Sequence, residues 1–358
     1  MNPCAYLQSV ADRVVSEGIH ATGVQLTVSH PGLGDASIRI AAGRQVPGRK
    51  MTSELIFNLW CASKPVVACA FIALADELAI NSETRLGHLI DGIPEELAAV
   101  RWGAVLNHNA GLERPGLFDA NLNPVEVAES WALSIRPDPT PAYSEFVYNV
   151  LLAVAIEKMS GREADAFLGG FVRTLGLEGQ LVFSVKEHVL SRPLDTLGFY
   201  IYGLPSAEIP LYHDATPIVA RLSRARYGAY GSASGLCGFY RSVGRVLQGE
   251  TVAGLPLPAS MRRWLGETRG EVFDPVLQRT CDFGAGLMVN LRQHGFGQGL
   301  SKSSLGHAGL HGCAFGFHEP ERALSVGAIF NGMVMSDEGA DARRTELIGF
   351  VLESVDAL

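Results

Sequence analysis

The sequence predicts an α/β chain of the α+β type: an antiparallel sheet flanked by terminal helices, with a helical lobe inserted between its halves. Three observations predict it. Strand-like runs gather in the first 60 residues and return after residue 280. Helical periodicity occupies both termini. The stretch between reads as helices joined by long loops. Strand-rich ends around a helical middle imply one sheet built from both ends of the chain. At 358 residues the chain is long enough to hold this as a single domain over 1–358. Its α/β lobe would come from about 1–78 and 230–358, and its mainly helical lobe from about 79–229.

Residues 3–18 form the first expected helix, amphipathic and free of the basic and apolar regions of a signal peptide. Two β-rich runs follow, 23–30 and 36–43. Pro31-Gly32-Leu33-Gly34-Asp35 between them is a hairpin turn signal. The apolar run from Leu55 to Trp60 leads into a helix that opens at Cys61 and continues to about Leu78. Helices are expected at about 124–134, 146–159 and 162–174. Residues 184–220, rich in Pro, Tyr and Leu without periodicity, read as irregular. Ala233–Leu247 is another helix. Strands are expected at 283–291, 312–318 and 323–331, and a final helix at about 337–356.

Composition narrows the function classes. A net charge of −8 with no Lys/Arg run argues against a nucleic-acid partner. No stretch approaches the roughly 18 apolar residues of a membrane span. Six cysteines (4, 61, 69, 237, 281, 313) are scattered without metal spacing. They read as reduced thiols of a cytoplasmic protein. Ten histidines show no paired-ligand pattern, so neither a metal nor a cofactor is expected.

The chemistry centres on Asn58-Leu59-Trp60-Cys61-Ala62-Ser63-Lys64-Pro65. A nucleophile followed three residues later by lysine, at the head of an apolar helix, is the layout of S-x-x-K enzymes. Positions i and i+3 share a helix face, so the thiol and the amine can meet. The chain has only five lysines, which makes this one less incidental. Alone the pair carries little, because cysteine is usually a small buried filler.

Four further segments give it context: Val105-Leu106-Asn107-His108-Asn109-Ala110-Gly111-Leu112, Tyr143-Ser144-Glu145-Phe146-Val147-Tyr148-Asn149, Gly231-Ser232-Ala233-Ser234-Gly235-Leu236, and Gly306-His307-Ala308-Gly309-Leu310-His311-Gly312. In this order they resemble the motif boxes of the serine β-lactamase and penicillin-binding-protein superfamily. The nearest branch holds class C β-lactamases, family VIII carboxylesterases and lovastatin-type acyltransferases. The resemblance covers roughly residues 20–335 and implies a β-lactamase/transpeptidase-like fold.

It also implies roles. Cys61 takes the nucleophile position, Lys64 the lysine that shares and relays its proton, and Tyr143 the general base and acid. The backbone N–H groups of Cys61 and Leu310 take the oxyanion hole. Glu145, His307, Gly309 and Leu310 take substrate-binding positions. His108 and Asn109 fall in a box that is mainly structural. Two departures stand out: cysteine replaces serine at 61, and Glu145 replaces the usual asparagine, which removes an amide donor.

A thiol begins near pKa ~8.5 and is lowered by a helix N-terminus or a neighbouring ammonium. Its acyl-enzyme would be a thioester, which amines attack well. In the tetrahedral intermediate thiolate leaves more readily than an unprotonated amine, so esters and thioesters are easier donors than amides. The expectation is a transacylase, of the kind used in secondary metabolism and antibiotic biosynthesis, moving an acyl group from a small-molecule donor to an amine or alcohol acceptor. A cytoplasmic carboxylesterase or amide hydrolase is the second reading, and a non-catalytic binding protein the third. Retention of both Lys64 and Tyr143 argues against the third.

Overall fold

The computed structural model describes residues 2–16, 21–34, 36–46, 48–113, 132–183, 200–204, 207–210, 228–334 and 336–358. Helix α1 (Pro3–Ser16) starts on a proline, whose missing N–H costs nothing in a first turn. It buries Leu7, Val10, Ala11 and Val14, one stripe at helical spacing. β1 (Gly23–Ser29) and β2 (Ile38–Val46) pair antiparallel around the expected turn, and β3 (Arg49–Lys50) extends the pair. From the other end come β9 (Val272–Asp274), β10 (Arg279–Gly284), β11 (Leu287–Val289), β12 (Leu305–Ala308), β13 (Ala314–Glu319) and β14 (Leu324–Phe330).

These nine strands form one antiparallel sheet in the order β3-β2-β1-β14-β13-β12-β11-β10-β9. The join is β1 against β14, with Val24 opposite Phe330 and Val28 opposite Val326. The two ends of the chain therefore build one sheet, as the distribution of strand-like runs predicts. β13 and β14 are buried along their whole length, the pattern of strands covered on both faces. α1 and the C-terminal helix share one apolar cluster with the strands. The helix at 233–247 packs on β1, β13 and β14. Glycine makes that approach possible: a Cβ on Gly327 would lie 2.1 Å from the Ala233 carbonyl oxygen.

Among the described residues the remaining helices are α2 (Lys64–Glu77), α3 (Glu95–Ala98), α4 (Trp102–Leu106), α5 (Val147–Ser160), α6 (Ala164–Thr174), α7 (Ala233–Leu247), α8 (Pro258–Gly266) and α9 (Asp337–Asp356). α2 and α5 are apolar nearly all round, pack on each other and are almost wholly buried. Two small three-stranded sheets complete the structure. One joins β4 (Phe57–Asn58), β8 (Tyr230–Gly231) and β5 (Leu181–Val182); the other joins β15 (Met333–Val334), β6 (Tyr200–Leu204) and β7 (Ala207–Pro210). Among the described residues no helix is long and apolar enough to cross a membrane.

Several elements differ from the expectations. Cys61 does not open an α-helix: Trp60–Ser63 is a 3-10 turn, and α2 begins at Lys64. Pro65 has no N–H and suits a first helical turn, so regular helix starts beside it and Cys61 lies in the lead-in. The run at 283–291 is two strands broken at Ala285-Gly286, both at positive φ. β6 and β7 fall in the stretch read as irregular. β9, β12, α3, α4 and α8 have no counterpart among the elements expected from the sequence. Most of the helix expected at 124–134 lies outside the described residues.

Candidate active site

The turn carrying Cys61 is fixed by its neighbours. The Trp60 N–H donates to Asn58 Oδ1 at 3.0 Å. Ser63 Oγ donates to the Trp60 carbonyl at 2.6 Å and accepts from the Ala229 N–H at 3.0 Å. Trp60 itself sits at φ 48, a left-handed conformation that a bulky residue holds only when its surroundings over-determine it. Cys61 emerges half-buried from this turn, while Lys64 is 1% exposed. The Lys64 ammonium nitrogen reaches Cys61 Sγ at 3.3 Å and the Glu145 carbonyl oxygen at 2.8 Å. It also lies 5.3 Å from the Tyr143 ring centre and 5.9 Å from that of Tyr148.

Tyr143 arrives on a loop held at four consecutive residues. The Tyr143 N–H donates to Asp274 Oδ2 at 2.7 Å, and the Ser144 N–H to His108 Nδ1 at 3.0 Å. The Glu145 carbonyl accepts from Lys64, and the Phe146 N–H donates to Glu113 Oε1 at 2.7 Å. Asp274 is in turn paired with Arg269 at 2.8 Å, both side chains fully buried. His108 packs its ring on Tyr143 and Tyr148. Burial, then the Lys64 charge, holds its pKa well below the ordinary histidine value, so it is a neutral acceptor at Nδ1. Its box is structural in a definite sense: it sets the backbone beside Tyr143.

The Tyr143 phenol is buried, and its pKa is raised well above the usual tyrosine value by burial and then by the nearby Cys61. Among the described residues no hydrogen bond of ordinary geometry reaches its hydroxyl, although the Cys61 thiol is close enough to act on it. Cys61, Tyr143, Glu145, Gly309 and Leu310 line one cleft of about 220 Å³. β12 ends against the Cys61 turn so closely that a Cβ on Gly309 would lie 2.7 Å from the Leu59 carbonyl oxygen and 3.1 Å from Cys313 Sγ. Among the described residues neither the Cys61 nor the Leu310 N–H has a hydrogen-bond partner. Two free donors bordering the cleft beside the thiol can serve a developing oxyanion.

His307 is placed differently from the other expected substrate-binding residues. It is fully buried, outside the cleft lining, with its ring 5.9 Å from that of Tyr143. Its Nδ1 donates to the Ala308 carbonyl at 2.8 Å, leaving Nε2 as an unpartnered acceptor. Burial, then Lys64, lowers its pKa to about 3. It is a neutral ring behind Tyr143. It lies within β12 opposite Gly316 of β13, in a stretch where Leu305, Gly306 and His307 are all buried.

Sequence reasoning missed the far wall of the cleft, which Val276, Leu277, Arg279, Met288, His294 and Asp341 help to form. Arg279 and Arg344 both bond Asp341, at 3.0 and 2.5 Å. Glu113 was also missed; its only signal is that it directly follows the Gly111-Leu112 box. Cys61 differs from most of the other thiols by exposure. Burial pushes Cys69, Cys237 and Cys313 up to about 12 and Cys281 to about 11, while Cys4 is exposed.

The fold has many relatives of known structure. A penicillin-binding protein homologue from Caulobacter crescentus superposes with a TM-score of 0.75 at 19% identity, covering 98% of each chain. A D-amino acid amidase from Ochrobactrum anthropi SV3, solved with L-phenylalanine amide, gives 0.74 at 16% identity, covering 100% of this chain and 99% of its own. EstCE1, described as a hydrolase with promiscuous acyltransferase activity, gives 0.73 at 16%, covering 99% and 98%. A search of curated proteins finds no match. The beta-lactamase family model matches residues 11–350, nearly the whole chain, and with an antiparallel sheet and flanking helices of the same architecture this protein belongs to the beta-lactamase family, as an enzyme of that fold.

Proposed function

We propose that the protein is an acyltransferase working through a thioester on Cys61, with an ester or thioester as donor and an amine or alcohol as acceptor. The observation that carries this reading is the 3.3 Å contact between Lys64 Nζ and Cys61 Sγ, with the buried Tyr143 phenol beside it. Cys61 Sγ attacks the donor's acyl carbon, forming a C–S bond and moving the carbonyl electron pair onto oxygen. The Cys61 and Leu310 N–H groups receive that oxyanion. Its collapse breaks the bond to the leaving group. The thiol proton travels through Lys64 and Tyr143 to the departing oxygen or sulfur. The acceptor then attacks the thioester, its new bond replacing C–S, and its proton returns along the same groups to Cys61.

Glu145 supports transfer over hydrolysis. Its backbone is fixed by Lys64 and its carboxylate is exposed at the cleft, where it can draw an incoming ammonium and take its proton. The acyl chemistry named for the amidase and for EstCE1 is compatible with this reading. The six free cysteines fit a reducing, cytoplasmic setting.

Intact mass after incubation with a short activated ester should show one acyl group, mapped to Cys61. Adding increasing amine should then divert product from acid to amide. Glu145→Gln should lower aminolysis roughly 100-fold while changing hydrolysis less. If acid dominates at every amine concentration and Glu145→Gln leaves the ratio unchanged, the enzyme is an esterase. If no acyl group reaches Cys61, the thioester mechanism is wrong.

A further inference from the structure

We propose that Glu113 is a positioning residue of this site: it holds the Tyr143–Phe146 loop and supplies the buried negative charge that balances Lys64. The proposal rests on the acyl-enzyme reading for its rate measurements. Glu113 is 4% exposed, and its Oε1 accepts the Phe146 N–H at 2.7 Å. Among the described residues Oε2 is buried without a hydrogen bond of ordinary geometry, although the Ser144 hydroxyl is near enough to favour the ionised form. Of the side chains that hold this loop, Asp274 is neutralised by Arg269, and His108 is uncharged. Among the described residues Glu113 is the acid of this group outside an ion pair, and Lys64 is the cation whose charge acts on it.

The groups acting on Glu113 are Lys64 from α2 and Ser144, Glu145 and Phe146 from the loop; Tyr143 feels its charge in return. Lys64 and the Phe146 N–H favour the carboxylate, while Glu145 opposes it. Burial is the largest influence and raises its pKa to about 7. Near neutral pH, Glu113 therefore changes charge. Ionised, it strengthens the bond to Phe146 and sets a buried negative charge against Lys64, whose Nζ faces both Cys61 Sγ and the Glu145 carbonyl. Protonated, it retains shape but loses both effects. The consequence is an acidic limb near pH 7 in the rate of Cys61 acylation, assigned to Glu113 and not to a histidine.

The test uses the full chain carrying Cys4→Ser, which removes the other exposed thiol. Acylation by a short ester and alkylation by iodoacetamide are each followed at Cys61 between pH 5 and 9. Glu113→Gln keeps an acceptor for Phe146 but cannot ionise. It should abolish the limb and lower the rate above pH 7 by about tenfold or more, the effect of one pKa unit of coupling. Glu113→Asp should restore a limb, shifted in pH. If Glu113→Gln keeps both limb and rate, Glu113 is only a structural hydrogen-bond acceptor and the proposal falls. Thermal unfolding of each variant separates these outcomes from misfolding: a variant that folds and loses the limb supports the proposal. If Cys61 alkylates but never acylates, the acyl-transfer reading fails, and the alkylation profile alone still decides the role of Glu113.

Discussion

Asp274→Asn is the perturbation that most directly tests how the fold places Tyr143. Asp274 is fully buried and saturated: Oδ2 accepts from Arg269 at 2.8 Å and from the Tyr143 N–H at 2.7 Å, and Oδ1 accepts from Val276 and Leu277 N–H at 2.9 and 3.0 Å. Asparagine keeps the shape but offers only one acceptor oxygen. If that oxygen stays with Val276 and Leu277, its NH₂ group faces two donors, and Arg269 keeps a buried charge without a counter-ion. Removing one partner of a buried pair costs about 3–5 kcal/mol. That is a large share of the roughly 5–15 kcal/mol that holds a typical protein folded. The assay is urea unfolding at pH 7, run beside the rate of Cys61 acylation. Replacing the pair together, as Asp274→Leu with Arg269→Met, should cost less than the sum of the single changes, because no charge is stranded. It should still cost about 1 kcal/mol for each backbone donor left unpaired. A loss below about 1 kcal/mol for Asp274→Asn, with acylation unchanged, would show that neither the pair nor the Tyr143 anchor works as described.

Gly309→Ala should slow acylation by roughly 10²–10³, the effect of losing one oxyanion donor, because the new Cβ collides with the Leu59 carbonyl and pushes Leu310 from Cys61. Normal acylation by a folded Gly309→Ala variant would remove Leu310 from the oxyanion hole. Acid should destabilise the fold. His294 and His307 have folded pKa values lowered to about 3, so the unfolded chain takes up their protons first. Their stability is fully present above about pH 6.5 and is lost as pH falls toward 3, each contributing about 2 kcal/mol of loss by pH 5. Glu113, raised to about 7, has the opposite sign and offsets roughly one of them. The urea midpoint should fall between pH 7 and 5, and His294→Gln should shrink the fall; an equal fall in both proteins would contradict the neutral burial of His294.

What could be read from the sequence is what depends on pattern. Cys61 and Lys64 meet because three residues separate them, even though the turn between them is 3-10 and not α. α7 and α9 match their expected bounds: α7 has strong amphipathic periodicity, and each helix opens after a serine, Ser232 or Ser336, whose side chain accepts the N–H three residues on. The pairing of β1 with β14 follows from the placement of two apolar runs at opposite ends of the chain. What could not be read depends on the fold already being formed. β4, β5 and β8 are two residues each, too short for any alternation to show, and they pair only because α2 and α7 bring their neighbours together. β12 is Leu-Gly-His-Ala, a poor strand by composition, and is held by β11 and β13 on either side. Arg279 and His294 belong to no motif; they reach the cleft because β9 to β12 are laid side by side at one end of the sheet. Glu113 shows the same division within the site itself. A motif names the nucleophile and its proton carriers, since their spacing is set by chemistry. The buried acid that sets the loop beside them is constrained only by where the chain passes, and one residue beyond a structural box it leaves no pattern to read.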